Sequence, residues 1–176
     1  MGVSSSCVAI ISKKLGDRAN ILNTLEALIS LGYSVNNLSV LGNGLSQKND
    51  NLIDLVHFKG EQSKFLEGLW YLLGREVFLY IPTFGFLTVT GGLSSIFMGE
   101  NGLIFRSDEY SQLDRILHRI GIPARSICHY ESFLKQGKLM LIVNGNNFEV
   151  ENACNILEGL LHCQEVSLHF VNTGYD

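Results

Sequence analysis

The uncharged stretch from Val77 to Gly99 reads VFLYIPTFGFLTVTGGLSSIFMG and lies in the middle of the chain. It combines apolar residues with glycine, threonine and serine, and it is long enough to cross roughly 30 Å of hydrocarbon. Such a segment must enter a membrane, pack inside the protein or be covered by another copy of the chain. Because the flanking sequence is typical of a small α/β domain, we expect the stretch to interrupt that domain.

The residues before this stretch predict a strand, a helix and a second strand. Cys7 to Ser12 is a short apolar run that suits a strand buried on both faces. From Arg18 to Leu31, apolar residues recur every three or four positions, which predicts a helix with one buried stripe that ends at Gly32. Leu38 to Leu41 then predicts the second strand.

The residues after the stretch predict the same order again. Two amphipathic helices, Asp108 to Ile120 and Ala124 to Gln136, come first, and Pro123 separates them. They are followed by a predicted strand, helix and strand: Leu139 to Val143, Phe148 to Cys163 and Glu165 to Val171.

The two strand–helix–strand units resemble each other, since Leu25-Glu26 and Leu157-Glu158 occupy equivalent positions. A duplicated βαβ unit of this kind predicts a ferredoxin-like α+β fold, with both helices on one face of a four-stranded antiparallel sheet. A doubly wound sheet is less favoured, because the strands are few and no Gly-rich fingerprint follows the first one. We expect residues 1–60 and 108–176 to form this domain and residues 61–107 to form an apolar, Gly-rich insertion.

Small residues in the insertion indicate close packing. Gly91, Ser95 and Gly99 are spaced by four, so on a helix they would form one small-residue ridge. We expect a helical hairpin of Ser63 to Leu73 against Thr83 to Met98; self-association through the ridge, bilayer insertion and a β-hairpin through VFLYI and FLTVT are the alternatives. The predicted interaction residues are Trp70, Pro82, Gly85, Gly91, Gly92, Ser95 and Gly99.

Composition excludes some classes of partner and indicates others. The net charge is −4 and the 13 basic residues are spread thinly, so we expect no binding to nucleic acid. Apolar residues make up 46% of the chain, which leaves apolar surface for an interface. The four cysteines lack CxxC spacing, so we expect buried free thiols in a reducing cytoplasm, with membrane association as an alternative location. They are Cys7, Cys128, Cys154 and Cys163.

The sequence predicts no reaction centre. It contains no GxSxG, P-loop, HExxH or dinucleotide signature, and its five histidines share no motif. His129, Tyr130 and Glu131 are adjacent on a predicted helix, where consecutive side chains point about 100° apart and cannot converge on one atom. We therefore expect no catalytic residue, no cofactor and no metal.

Two segments resemble the bacterial heat-induced, general-stress-protein domain (the YflT-like group). IPTFGFLTVTGGL, from Ile81 to Leu93, is similar to the family's Ile-Pro, Gly and Gly spacing, and GIPARSICHYESFLKQGKLMLIV, from Gly121 to Val143, also resembles the family. Relatives carry long Ala/Gly zippers where this chain has aromatic residues and threonine. The resemblance implies two βαβ halves separated by an apolar insertion and a stress-associated role, and it brings no catalytic residues.

The sequence therefore predicts a non-enzymatic, stress-associated protein that works by contact. It would form a homo-oligomer, or dock a protein partner or a membrane surface, through its central insertion. The alternative is a ligand-binding regulatory module, because ferredoxin-like sheets often pair edge to edge and hold small molecules at that seam. This alternative predicts a metabolite that raises the melting temperature by mass action, and a thermal-shift screen without a hit would count against it. The hypothesis that the protein is a hydrolase or an oxidoreductase is the least favoured, because the sequence lacks the signatures of those enzymes.

Overall fold

A computed structural model of the chain describes residues 5–12, 15–43, 68–69, 71–74, 76–81, 85–98, 112–160 and 165–170. In chain order, its strands and helices are β1 Ser5–Ile11, α1 Leu15–Ser30, a 3-10 turn Val35–Asn37, β2 Leu38–Asn43, β3 Glu76–Ile81, β4 Gly85–Gly91, α2 Gly92–Met98, α3 Gln112–Arg119, α4 Ala124–Lys135, β5 Leu139–Gly145, α5 Asn147–Leu160 and β6 Glu165–His169. Residues 68–69 and 71–73 are also helical.

The strands form one antiparallel sheet with the order β3-β4-β2-β5-β1-β6. The chain leaves β1 through α1 and returns in β2, on the far side of β5. It leaves β5 through α5 and returns in β6, on the far side of β1. The predicted α+β class with an antiparallel sheet is therefore confirmed.

The predicted number of four strands was wrong, because the described residues form six. The two additional strands, β3 and β4, come from the expected insertion, and β4 pairs with β2. The helical hairpin was also wrong here, since Gly85–Gly91 is a strand and α2 begins only at Gly92. The aromatic and β-branched residues of VFLYI and FLTVT favour extended strands, which was the alternative that the sequence left open.

The buried stripe of α1 is confirmed and ends where the sequence predicts. Ile21, Leu25 and Leu28 are fully buried, whereas Leu31, which was expected in the stripe, is exposed. At Gly32 the backbone has a φ of +98°, a conformation that glycine adopts without the strain of a β-carbon. This geometry lets the next N–H, that of Tyr33, donate to the Leu28 carbonyl oxygen at 3.1 Å.

The second half of the chain follows the predicted order. The described part of the helix predicted from Asp108 is α3, and it is followed by α4, β5, α5 and β6. Pro123 lies directly before α4, and Gly121 and Gly137 follow α3 and α4. Within the described residues, no helix is long and apolar enough to cross a membrane.

Two apolar cores lie on opposite faces of the sheet, because successive residues of a strand point to opposite sides. In β1, Cys7, Ala9 and Ile11 face the first core, which α1, α5 and residues 69 and 73 cover. Val8 and Ile10 of β1 face the second core, which is covered by α3, α4 and Leu93 of α2. Burial of β1 on both faces is therefore confirmed.

Candidate functional site

The predicted interaction residues lie in β4, in α2 or outside the described residues. Three of them, Trp70, Pro82 and Gly99, lie outside the described residues. Gly85 begins β4, Gly91 ends it, Gly92 begins α2, and Ser95 lies half-buried within α2. Because Gly91 is on a strand, the predicted helical ridge that includes it was wrong.

The two glycines at this junction make a close contact within the chain. Gly91 has a φ of +90°, and a β-carbon there would overlap the backbone of β2. A β-carbon at Gly92 would overlap the carbonyl oxygen of Asn36. The N–H of Leu93 also donates to the Ser39 hydroxyl at 3.0 Å. The small size of both glycines is therefore needed to join β4 and α2 to the 3-10 turn and β2.

Strand β3 lies at one end of the sheet. It pairs with β4 from Glu76 opposite Thr90 to Ile81 opposite Gly85, and among the described residues no strand pairs with its other side. After Glu76 its sequence is VFLYI, without a charge. The unpaired side of an edge strand is a template for another strand, and charged side chains on the edge oppose such pairing. We call this unpaired side the β3 edge, and it is the candidate association site.

A group of polar side chains joins α4 to β6 at the opposite end of the sheet. His129 Nε2 lies 2.9 Å from Glu165 Oε2, and the Ser167 hydroxyl donates to Glu165 Oε1 at 3.1 Å. The Tyr130 hydroxyl lies 2.6 Å from His169 Nε2. We call these five residues the α4–β6 network. Adjacent residues of α4 thus do not converge on one atom, as predicted, but bond to separate residues of β6.

Burial sets the charge states in the α4–β6 network. Tyr130 is 1% exposed, and burial is the main reason that its pKa rises to about 12. Burial also lowers the pKa of His169; Glu165 opposes this shift, and Arg125 adds to it. Burial alone would raise the pKa of Glu165, but hydrogen bonds from His129 and Ser167 hold it below its usual value. At neutral pH, Glu165 is therefore ionised and Tyr130 carries its proton.

The hydrogen bond between Tyr130 and His169 depends on the protonation of the histidine. When His169 Nε2 has its lone pair, the tyrosine hydroxyl donates to it; when His169 is charged, Nε2–H donates to the tyrosine oxygen. The five side chains bond to one another, and among the described residues no group of three His, Cys, Asp or Glu side chains could hold a metal. The direction of the hydrogen bond between Tyr130 and His169 therefore changes with the protonation of His169.

The sequence did not predict the α4–β6 network, because the bonds between α4 and β6 join residues 36 and 39 positions apart. One signal was present. Glu165, Ser167 and His169 alternate with Val166 and Leu168, so three polar side chains share one face of β6. What the sequence could not indicate was that α4 would cover that face.

Cys7 of β1 and Cys154 of α5 form a disulfide. Their Cα atoms are 5.8 Å apart, which is within the usual range for bridged cysteines. The prediction of free thiols was therefore wrong for this pair, and the argument from them for a reducing cytoplasm fails. Cys128 is free, as predicted, but exposed, and Cys163 lies outside the described residues.

Comparison with known proteins adds nothing to this geometry. No protein-family model, curated protein or solved structure matches the chain. The resemblance to the general-stress-protein domain stays a prediction.

Proposed function

We propose that this chain is a non-enzymatic, stress-associated protein that forms a homo-oligomer by pairing its β3 edge with the β3 edge of a second copy. The contact lies within the segment in which the sequence predicted an interaction, but a strand edge replaces the helical ridge. One observation carries the proposal: among the described residues, β3 is the outermost strand of the sheet, and Val77 to Ile81 are uncharged.

Pairing between two β3 edges gives a closed assembly. The same strand would face its own copy across a two-fold axis, so the contact is satisfied once two chains have met. Pairing of β3 with β6 of another copy would instead leave a free edge at each end and would propagate as a filament. The run from Val77 to Ile81 suits the first contact, because it carries no charge that would have to be removed from water when the two strands meet.

We further propose that β1, β2, β5 and β6, with α1 and α5, form a ferredoxin-like unit. The order β2-β5-β1-β6, the two crossovers and the position of both helices against the first core support this proposal. Strands β3 and β4 then extend the unit beyond β2 and carry the β3 edge. The division into residues 1–60 and 108–176 around an insertion at 61–107 stays a prediction.

Other occupants of the same segment remain predictions from the sequence. A protein partner would add an extended segment to the β3 edge by the same backbone hydrogen bonds. Contact with a membrane surface through the insertion has no geometric support in the described residues. The ligand-binding alternative also gains none, because the polar groups of the α4–β6 network bond to one another.

A pair of proline substitutions tests the β3 edge. Successive residues of a strand direct their N–H groups to opposite sides, so one of Phe78 and Leu79 donates toward β4 and the other points outward. We expect one of Phe78→Pro and Leu79→Pro to lower the melting temperature by removing a bond to β4. The other should lose self-association with a smaller fall in melting temperature, because proline is tolerated on an edge strand but blocks pairing with a second copy.

Size-exclusion chromatography with light scattering measures the outcome over a range of protein concentrations. The proposal requires the mass of two chains for the unmodified protein and the mass of one chain for the proline variant with the higher melting temperature. A single-chain mass for the unmodified protein at every concentration contradicts it. So does a two-chain mass in both variants.

A further inference from the structure

The Cys7–Cys154 disulfide joins two regions that are far apart in the sequence. Cys7 lies in the middle of β1, and Cys154 lies 147 residues later in α5. Cys7 is 0% exposed and Cys154 is 7% exposed, so the bond lies in the first core. It therefore fixes α5 to a central strand of the sheet.

Helix α5 and strand β6 form a unit at the C-terminal end of the described chain. Among the described residues, β6 pairs only with β1, and α5 packs against β1, β5 and β6. Removing this unit would leave β5 paired with β1 and β2, so most of the sheet would persist. Besides apolar packing and the β1–β6 ladder, the unit is held by the α4–β6 network, by the disulfide and by two hydrogen bonds of α5, from the Ser5 hydroxyl to Asn147 Oδ1 and from the Tyr33 hydroxyl to the Glu149 carbonyl oxygen.

We propose that the Cys7–Cys154 disulfide is a redox-controlled clamp on the α5–β6 unit, and that reduction by a dithiol allows this unit to open while the rest of the sheet stays folded. With the disulfide in place, α5 cannot separate from β1, so opening requires the sheet itself to come apart. After reduction, noncovalent contacts hold the unit: the ladder to β1, the packing of α5, the α4–β6 network and the hydrogen bonds of α5 to Ser5 and Tyr33.

The reduction is a two-electron thiol–disulfide exchange. A thiolate of the dithiol attacks the sulfur of Cys154, which is the more exposed of the two cysteines, and forms a mixed disulfide with it. Cys7 leaves as a thiolate and takes up a proton. The second thiol of the reductant then attacks its own sulfur in the mixed disulfide and displaces Cys154 as a thiolate, which takes up a proton. The oxidised reductant is released as a cyclic disulfide. Two cysteine thiols form as the dithiol is oxidised.

The closed fold can accommodate the reduced pair. A cysteine thiol packs as a small apolar group, so both can stay in the first core. The carbonyl oxygen of Ser167 lies 3.9 Å from Cys154 Sγ and would accept a hydrogen bond from the thiol. Reduction is therefore expected to increase how often the α5–β6 unit opens without changing the closed structure.

Hydrogen exchange of the full chain, before and after treatment with dithiothreitol, tests the clamp. We expect amides of α5 and β6 to exchange on the order of tenfold faster after reduction, and amides in the β2–β5 ladder to change much less. Cys154→Ser without reductant should show the pattern of the reduced protein. Cys128→Ser, which replaces the exposed free thiol of α4, should keep the full response to dithiothreitol.

Three outcomes would overturn the clamp. In the first, a peptide map of the untreated protein shows Cys7 and Cys154 unlinked. In the second, reduction accelerates exchange by the same factor in every strand, which would make the disulfide a general stabiliser. In the third, exchange in α5 and β6 is unchanged by reduction and by Cys154→Ser.

Discussion

Gly92 marks a position where the fold allows no side chain. It begins α2, and a β-carbon there would overlap the carbonyl oxygen of Asn36, which is backbone and cannot turn away. Gly159 on α5 is a matched contrast, because a β-carbon there would meet no heavy atom within 4 Å. The same substitution should therefore have opposite effects at the two positions.

We expect Gly92→Ala to lower the free energy of unfolding by about 2 kcal/mol, since overpacking forces the backbone to shift. Gly159→Ala should raise it by about 0.5 kcal/mol, because alanine loses less conformational entropy than glycine in a helix. Urea denaturation followed by circular dichroism measures both changes. Equal stability of the two variants would show that the β4–α2 junction does not approach the 3-10 turn as closely as described.

At the scale of helices and strands, the docking of β6 on α4 should depend on pH. His169 has its pKa lowered from 6.5 by burial, so between the folded pKa and 6.5 the unfolded chain binds more protons. The free energy of unfolding should therefore fall as pH drops from 6.5 through the folded pKa of His169. Glu165, whose pKa is lowered from 4.5, adds a second loss as pH falls through its own folded value.

Substitution of His169 separates the two effects. In His169→Gln, the loss of stability that begins below pH 6.5 should become smaller, while the loss at lower pH that belongs to Glu165 remains. His118→Gln, which replaces an exposed histidine of α3 outside the α4–β6 network, is the matched control. Urea denaturation between about pH 3 and pH 8, a range that includes the usual pKa values of both glutamate and histidine, provides the measurement. An identical profile for His169→Gln and the unmodified chain would contradict the assignment.

Which helices and strands could be predicted depended on how local their signals are. The stripe of Ile21, Leu25 and Leu28 repeats every three to four residues, so α1 was predicted correctly. VFLYI and FLTVT are short apolar runs, which suit a buried helix or a strand equally, and pairing with β2 decided between them. The disulfide and the α4–β6 network join distant residues, so only the tertiary fold brings their partners together.

At the scale of the whole molecule, the two cores share the central strands of the sheet. Neighbouring residues of β5 face opposite sides: Leu141 belongs to the first core and Ile142 to the second, and both are fully buried. A loss of packing in either core therefore acts on the same strand. Because β1 and β5 supply buried side chains to both cores, we expect the two cores to be lost together when the whole sheet unfolds.

Alanine substitutions in β5 test this shared unfolding. Leu141→Ala and Ile142→Ala should each lower the free energy of unfolding by about 2–5 kcal/mol, the usual cost of a cavity in a core. Leu160→Ala, on an exposed residue of α5, should cost less than about 0.5 kcal/mol. In both core variants, fluorescence of the single tryptophan, Trp70, and far-ultraviolet circular dichroism should report the same midpoint in urea. If Ile142→Ala instead unfolds in two steps while Leu141→Ala unfolds in one, α3 and α4 form a cover that can leave the sheet independently.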